Sequence, residues 1–199
     1  MSFRKEKKYR LSWSDQKLLK ALLADKGMKP LYPSRLINSI YFDTKKYKFF
    51  YDSEEGLLPR KKVRLRWYEN NLSSVTKETK ISSVEGRFKI SEDFLGGNFD
   101  PENDIKIFDQ ESGNLYPVVL ISYSREYYLL DGLRVTFDSD IRYSSLKSII
   151  KSSVIDDECV MEVKVSNEMP DDYIESIIEH PISRYSKYSR AMLKTFYLG

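Results

Sequence analysis

The stretch "KKVRLRWYE", residues 61–69, alternates strictly: Lys62, Arg64 and Arg66 hold one parity, and Val63, Leu65 and Trp67 hold the other. Successive side chains of a strand point to opposite faces, so the pattern predicts a strand with core on one side and three cations on the other. The same period recurs in "RKEKKYRL" (4–11), "SRLINSIYFDT" (34–44), "SVTKETKIS" (74–82), "GRFKISED" (86–93), "PVVLISYSREYYL" (117–129), "LRVTFDSDIRY" (133–143) and "CVMEVKVS" (159–166). Connections such as "NNLSS" and "LDG" are too short for parallel crossovers. The eight segments therefore predict one large, mostly antiparallel sheet, and an open sheet of that size tends to curl or close.

Helical patterns are fewer. After Ser12 or Ser14 as N-cap, "DQKLLKALLADKG" puts Leu18, Leu19, Leu22 and Leu23 on one stripe, with Gly27 as its end. "PDDYIESIIEH" opens on Pro170 and two aspartates, carries Ile174, Ile177 and Ile178, and stops before Pro181. A last amphipathic helix runs through Tyr188, Met192 and Phe196. The segment 96–114, "GGNFDPENDIKIFDQESGN", reads as a small lobe or a long loop.

The chain of 199 residues is of a size for one domain, expected over residues 1–199, with 41% hydrophobic residues to fill a core. Its net charge of +3 is too balanced to mark a nucleic-acid binder, so the placement of the charges carries the information. Cys159 is the single cysteine, which excludes an internal disulfide, and it reads as a small strand residue. His180 reads as a helix end without the partners of a zinc site. With no membrane-length apolar run and no secretory leader, the sequence reads as a soluble cytoplasmic protein.

Extended to the other strands, the parity sets Glu162 and Lys164 against Met161, Val163 and Val165, and Arg134, Thr136 and Asp138 against Leu133, Val135 and Phe137. Tyr123 shares a face with Arg125, Glu78 with Lys80, Arg87 with Lys89, and Arg4 with Glu6, Lys8 and Arg10. For any one strand this is an ordinary solvated face. Over many strands it repeats Arg, Lys and Glu where Ser, Thr and Asn are usual, and cations on neighbouring strands repel unless an anion lies between them. A sheet closed with that face inward gives a basic channel for a small polyanion, with a few carboxylates left to hold a metal ion.

Read in order, "RKEKKYRL", "SIYFDT", "KKVRLRWY", "KETK", "SYSREYY", "LRVTFD", "MEVKV" and "SRYSKYSRAM" resemble the VTC domain, the polyphosphate polymerase branch of the CYTH-like triphosphate tunnel metalloenzymes. The resemblance runs from Arg4 to about Leu193. It implies an α+β fold in which eight antiparallel strands close into a tunnel with helices packed outside. It implies Lys8, Arg64, Arg66, Lys80, Arg125, Arg134, Lys164 and Lys187 as catalytic, phosphate-binding cations. Tyr123 and Ser186 would add hydroxyl hydrogen bonds, and Lys62 and Arg87 would also meet substrate. Glu162, with Glu6 as its partner, would hold Mg2+ or Mn2+. Arg4 stands at the first glutamate of the superfamily's E-x-E-x-K strand, a departure that favours the polymerase branch over a simple triphosphatase.

The resulting expectation is a metal-dependent phosphotransferase that moves the terminal phosphate of ATP onto inorganic polyphosphate. The alternatives are a triphosphatase using the same tunnel and a polyphosphate-binding module without turnover. Lys80 and Lys164 also read as surface lysines paired with Glu78 and Glu162, and Arg87 and Lys89 as residues that line the tunnel mouth or simply meet water. If Glu6 faces inward, Lys5 and Lys7 face outward, which edge exposure would explain. The aromatics Tyr47, Phe49, Phe50 and Tyr51 read as packing rather than a base-stacking platform, which disfavours nucleic acid. None of the 8 glycines builds a P-loop.

Overall fold

The computed structural model describes residues 4–94, 99–101, 105–147 and 153–195, with Arg4 by its backbone alone. The elements in chain order are β1 (Arg4–Leu11), α1 (Trp13–Asp25), β2 (Lys29–Asp43), α2 (Lys48–Glu54), β3 (Arg60–Tyr68), β4 (Thr76–Ser82) and β5 (Arg87–Asp93). There follow β6 (Ile107–Asp109), β7 (Gly113–Leu130), β8 (Leu133–Ser145), β9 (Ser153–Ile155), β10 (Cys159–Ser166), α3 (Asp171–Ile177) and α4 (Lys187–Thr195). The strand path is β1-β10-β8-β7-β2-β3-β4-β5, with β6 beside β7 and β9 beside β8. The eight strands expected from alternation are the eight on the path. The two additions, β6 and β9, are three residues long, too short to show a period. The expected loose segment 96–114 contributes β6 and the start of β7; its residues 96–98 and 102–104 lie outside the described ones.

The ladders β1–β10, β10–β8, β2–β3, β3–β4 and β4–β5 are antiparallel. Between β7 and β8 the chain reverses through Asp131 (φ 43°) and Gly132 (φ 77°), the two positive φ angles that a two-residue hairpin turn requires. No helix among the described residues is long and apolar enough to cross a membrane.

The chain divides into two compact units. The first comprises Met1–Arg35, Tyr123–Ile141 and Asp156–Tyr185. Its core joins the apolar parity of β1, β8 and β10 (Tyr9, Val135, Phe137, Met161, Val163) to Leu19 and Leu23 of α1 and Ile174 of α3. Ser12 caps α1, accepting a hydrogen bond from the Asp15 N–H while the Asp15 carboxylate accepts one from the Ser12 N–H. Only half of the expected leucine stripe is inside. Leu19 and Leu23 are buried, whereas Leu18 and Leu22 remain 61% and 48% exposed. One sheet face covers one i, i+4 row, and the adjacent row is turned by about 100° toward solvent. Cys159 is a buried strand residue opposite Leu11, and His180 lies past the end of α3 with its Nε2 3.0 Å from the Arg10 carbonyl. Lys5 and Lys7, the outward residues of β1, are taken by Asp171 and Glu175 of α3.

The second unit comprises Leu36–Ser122, Arg142–Ile155 and Ser186–Gly199. Val63, Leu65 and Trp67 of β3 pack with Ile40, Phe42, Phe49 and Leu115. The helix α2 was not legible in the sequence. Its cap residue, Tyr47, is left-handed (φ 55°) and gives no side-chain cap. Asp43, four residues upstream, caps the helix instead, its carboxylate accepting from the N–H groups of Phe49 and Phe50 at 2.9 Å each. In α4, Tyr188 and Met192 are buried as expected, and Phe196 lies outside the described residues. Tyr188 donates its hydroxyl to Asp43 at 2.5 Å, fastening α4 to the same carboxylate.

Candidate active site

Each unit carries a charged sheet face. In the second, cross-strand register lines up Tyr41, Arg64 and Glu78 in one row, Ser39, Arg66 and Thr76 in the next, and Lys62, Lys80 and Lys89 in a third. Arg64 donates through Nε to Glu78 at 2.7 Å and through a terminal nitrogen to the Tyr41 hydroxyl at 2.7 Å. Arg66 is buried, 3.7 Å from the same Glu78 carboxylate and 3.4 Å from the Ser39 hydroxyl. Lys89 supplies Glu78 with a further partner at 2.7 Å. Glu78 is thus a buried anion held by three cations. Burial pushes its carboxyl upward, but Arg64 and Arg66 override that and bring it down from 4.5 to about 2. Burial likewise raises Tyr41, and Arg64, Arg66 and Lys62 outweigh it, lowering the phenol from 10.0 to about 8.

Lys62 donates to the Ser186 hydroxyl at 2.6 Å, and that oxygen also accepts the Ser189 N–H of the first turn of α4 at 3.3 Å. Ser186 therefore joins β3 to the start of the helix, and Lys187, its first residue, is half-buried. Lys80 and Arg87 are exposed, Lys80 in the row between Lys62 and Lys89 and Arg87 opposite Ser82.

In the first unit the rows are Glu6, Lys164 and Arg134, then Lys8, Glu162 and Thr136. The Lys164 ammonium lies 2.6 Å from Glu162 and 4.0 Å from Glu6. Lys8 lies 3.1 Å from Glu6 and donates to the Tyr185 carbonyl at 3.1 Å. Arg125 grips Asp138 with two nitrogens, at 2.5 and 2.7 Å, and approaches Glu162 to 3.9 Å. The Arg125 guanidinium is 5.4 Å from the centroid of the buried Tyr123 ring. Burial would raise the Glu162 carboxyl, but Lys164, Arg125 and Lys8 hold it well below the usual carboxylate range. Arg134 is exposed.

No group of three or more His, Cys, Asp or Glu side chains gathers in metal-binding array among the described residues. Glu6 and Glu162 lie on either side of one cation, the Lys164 ammonium. Two carboxylates with the remaining positions left to phosphate and water is the donor set that suits Mg2+ or Mn2+.

The family model of the VTC domain matches residues 3–196, nearly the whole chain. The chain belongs to the VTC domain family. A Hippeastrum protein named as an adenylyl cyclase candidate, with a dominant triphosphatase activity, aligns at TM-score 0.59 and 16% identity over 98% of this chain and 96% of its own. A protein assigned as an adenylate cyclase from Vibrio parahaemolyticus aligns at TM-score 0.54 and 12% identity, covering 96% and 98%. One from Pyrococcus horikoshii OT3 gives 0.54 and 13%, covering 96% and 99%. Among curated proteins no significant relative is found.

Within this VTC domain, Arg64 and Arg66 meet at Glu78 and Lys62 meets Ser186, all in the second unit. Glu6, Lys8, Arg125, Glu162 and Lys164 meet in one network of the first. The sequence expectation missed three members of these networks. Glu78 sits on the right parity but looked like a partner of Lys80; it is the hub for Arg64, Arg66 and Lys89. Asp138 carried the right parity too, and Tyr41 reveals itself only through its register with Arg64.

Proposed function

We propose that the VTC domain transfers the terminal phosphate of ATP to the end of an inorganic polyphosphate chain, with its charged strand faces as the tunnel wall that the family resemblance implies. The observation that carries this reading is the alternation of β3: Arg64 and Arg66 are fixed by carboxylate, phenol and hydroxyl partners on one face while Val63 and Leu65 lock the other into the core. Phosphoryl transfer asks little covalent help of a protein; it needs the reacting groups in line and the charge on equatorial and leaving oxygens neutralised. Planar guanidinium forks held before substrate arrives give that neutralisation without reorganisation.

In the proposed step an end oxygen of the polyphosphate attacks the γ-phosphorus of ATP. The bond to the β–γ bridging oxygen breaks, and ADP leaves with the electron pair. Arg64, Arg66, Lys62 and Lys187 bind the phosphates, with Lys80, Arg87 and Arg134 as more exposed contacts and Ser186 as a hydroxyl donor. Lys8, Arg125 and Lys164 neutralise the charge that develops, and Tyr123 supports Arg125. Glu162 and Glu6 would hold Mg2+ or Mn2+, which supplies Lewis-acid neutralisation of phosphate oxygens when bound. The low carboxyl pKa of Glu162 keeps it charged for that role throughout the neutral range.

The triphosphatase activity named for the Hippeastrum protein supports a second reading, in which water is the acceptor and the same cations bind a triphosphate. Incubation with ATP and Mn2+ or Mg2+, with products resolved by chain length, tests both. Polymer is the expected product. Free phosphate without polymer supports the hydrolase, and unchanged ATP with bound polyphosphate overturns both enzyme readings.

A further inference from the structure

We propose that a second polyanion site lies around Tyr116, apart from the residues assigned to the active site, and that it holds the part of a condensed-phosphate chain outside the tunnel. A depression of about 480 Å³ is lined there by Lys45, Lys46, Lys48, Ser112, Asn114 and Tyr116, with Thr44 beside them. Three ammonium groups crowd one ring: Lys147 at 5.3 Å from the Tyr116 centroid, Lys45 at 5.4 Å and Lys106 at 6.0 Å. Among the described residues, no carboxylate lines the depression, Asp109 and Glu111 pair with Lys61, and Asp52 pairs with Lys48.

That arrangement favours a multiply charged anion. Like charges gathered around a single ring repel, and the ring quadrupole offsets only part of that at an exposed site, so a bound polyanion gains from relieving it. The hydroxyls of Thr44 and Ser112 and the Asn114 amide add neutral donors of the kind that bind phosphate oxygens. An inorganic chain fits better than nucleic acid, because ammonium groups lie over the aromatic ring on which a base would stack.

The sequence links the patch to the main site. Tyr41, the partner of Arg64, precedes Lys45 by four residues, a span of at most about 13 Å of extended chain. A polymer that extends past the main site would engage the lysines as well, and tripolyphosphate held at the main site has no further phosphates to offer them. This inference rests on the polyphosphate reading for the identity of the ligand.

The experiment compares binding of long-chain polyphosphate and of tripolyphosphate to the full chain, to a Lys45→Gln/Lys46→Gln/Lys147→Gln variant and to Arg66→Ala. The triple variant should bind the long chain about tenfold more weakly, with a shallower salt dependence, and tripolyphosphate as the parent does. Unchanged long-chain affinity in the triple variant overturns the second site. So does a loss of affinity for a single-stranded oligonucleotide larger than that for polyphosphate. Arg66→Ala reports separately on the main site: if tripolyphosphate binding survives it, the main-site reading fails while the lysine variant still decides the patch.

Discussion

The charged faces of the two units are built from the same residue types but balanced differently. In the first, cations and carboxylates alternate across strands, with Lys164 between Glu162 and Glu6 and Arg125 on Asp138. In the second, Glu78 answers Arg64, Arg66 and Lys89 together, and register sets Lys62, Lys80 and Lys89 in one row. A face that neutralises itself through carboxylates can exchange an ammonium for a metal ion. A face with lysines directly opposite one another gathers positive charge that favours an anion. On the proposed function, the first unit would hold the metal and the second would grip phosphate.

Breaking the first face should produce the largest effect. Glu162→Gln should lower turnover by roughly 10²- to 10³-fold, the scale of a lost electrostatic group at a reacting centre, while polyphosphate binding is kept. Turnover measured across a Mn2+ titration, beside equilibrium binding, checks this; an equal loss of binding would erase the distinction between the faces. In the second face, Glu78→Gln should cost about 3 kcal/mol of stability in urea unfolding, because it leaves buried guanidinium groups without their carboxylate.

Acid sharpens the same point. The folded state holds Glu78 at about 2 against 4.5, so the stabilisation it provides is fully present above pH 4.5 and is lost as pH falls through about 2. The Gln variant should show a flatter stability profile across that window. Next in size, Arg66→Ala should weaken tripolyphosphate binding by about 1.5 to 3 kcal/mol in calorimetry, the worth of a charge-assisted hydrogen bond. The smallest effect belongs to Tyr41. With its folded pKa lowered from 10.0 to about 8, it should add stability as pH rises through about 8 toward 10. Tyr41→Phe should remove that rise, and an ultraviolet tyrosinate titration should lose its lowest step.

The strands were legible because period two is a local property. Val63, Leu65 and Trp67 had to be buried together, and with them the parity of Arg64 and Arg66 was set. Partnerships were not legible, because register depends on which strands meet: nothing near "KETK" tells that Glu78 lies opposite Arg64 rather than serving Lys80. The helix α2 escaped because its cap is supplied by Asp43 from the end of β2, outside the usual position. The leucine stripe of α1 was half right, since the pattern gives the apolar arc but not how much of it the sheet covers.

The most direct test is a crystal structure with tripolyphosphate and Mn2+ bound. Phosphate bound by Arg64 and Arg66 of the second unit, with the metal on Glu162 of the first, is the result predicted. Phosphate away from Arg64 and Arg66, or a metal away from Glu162, would contradict it.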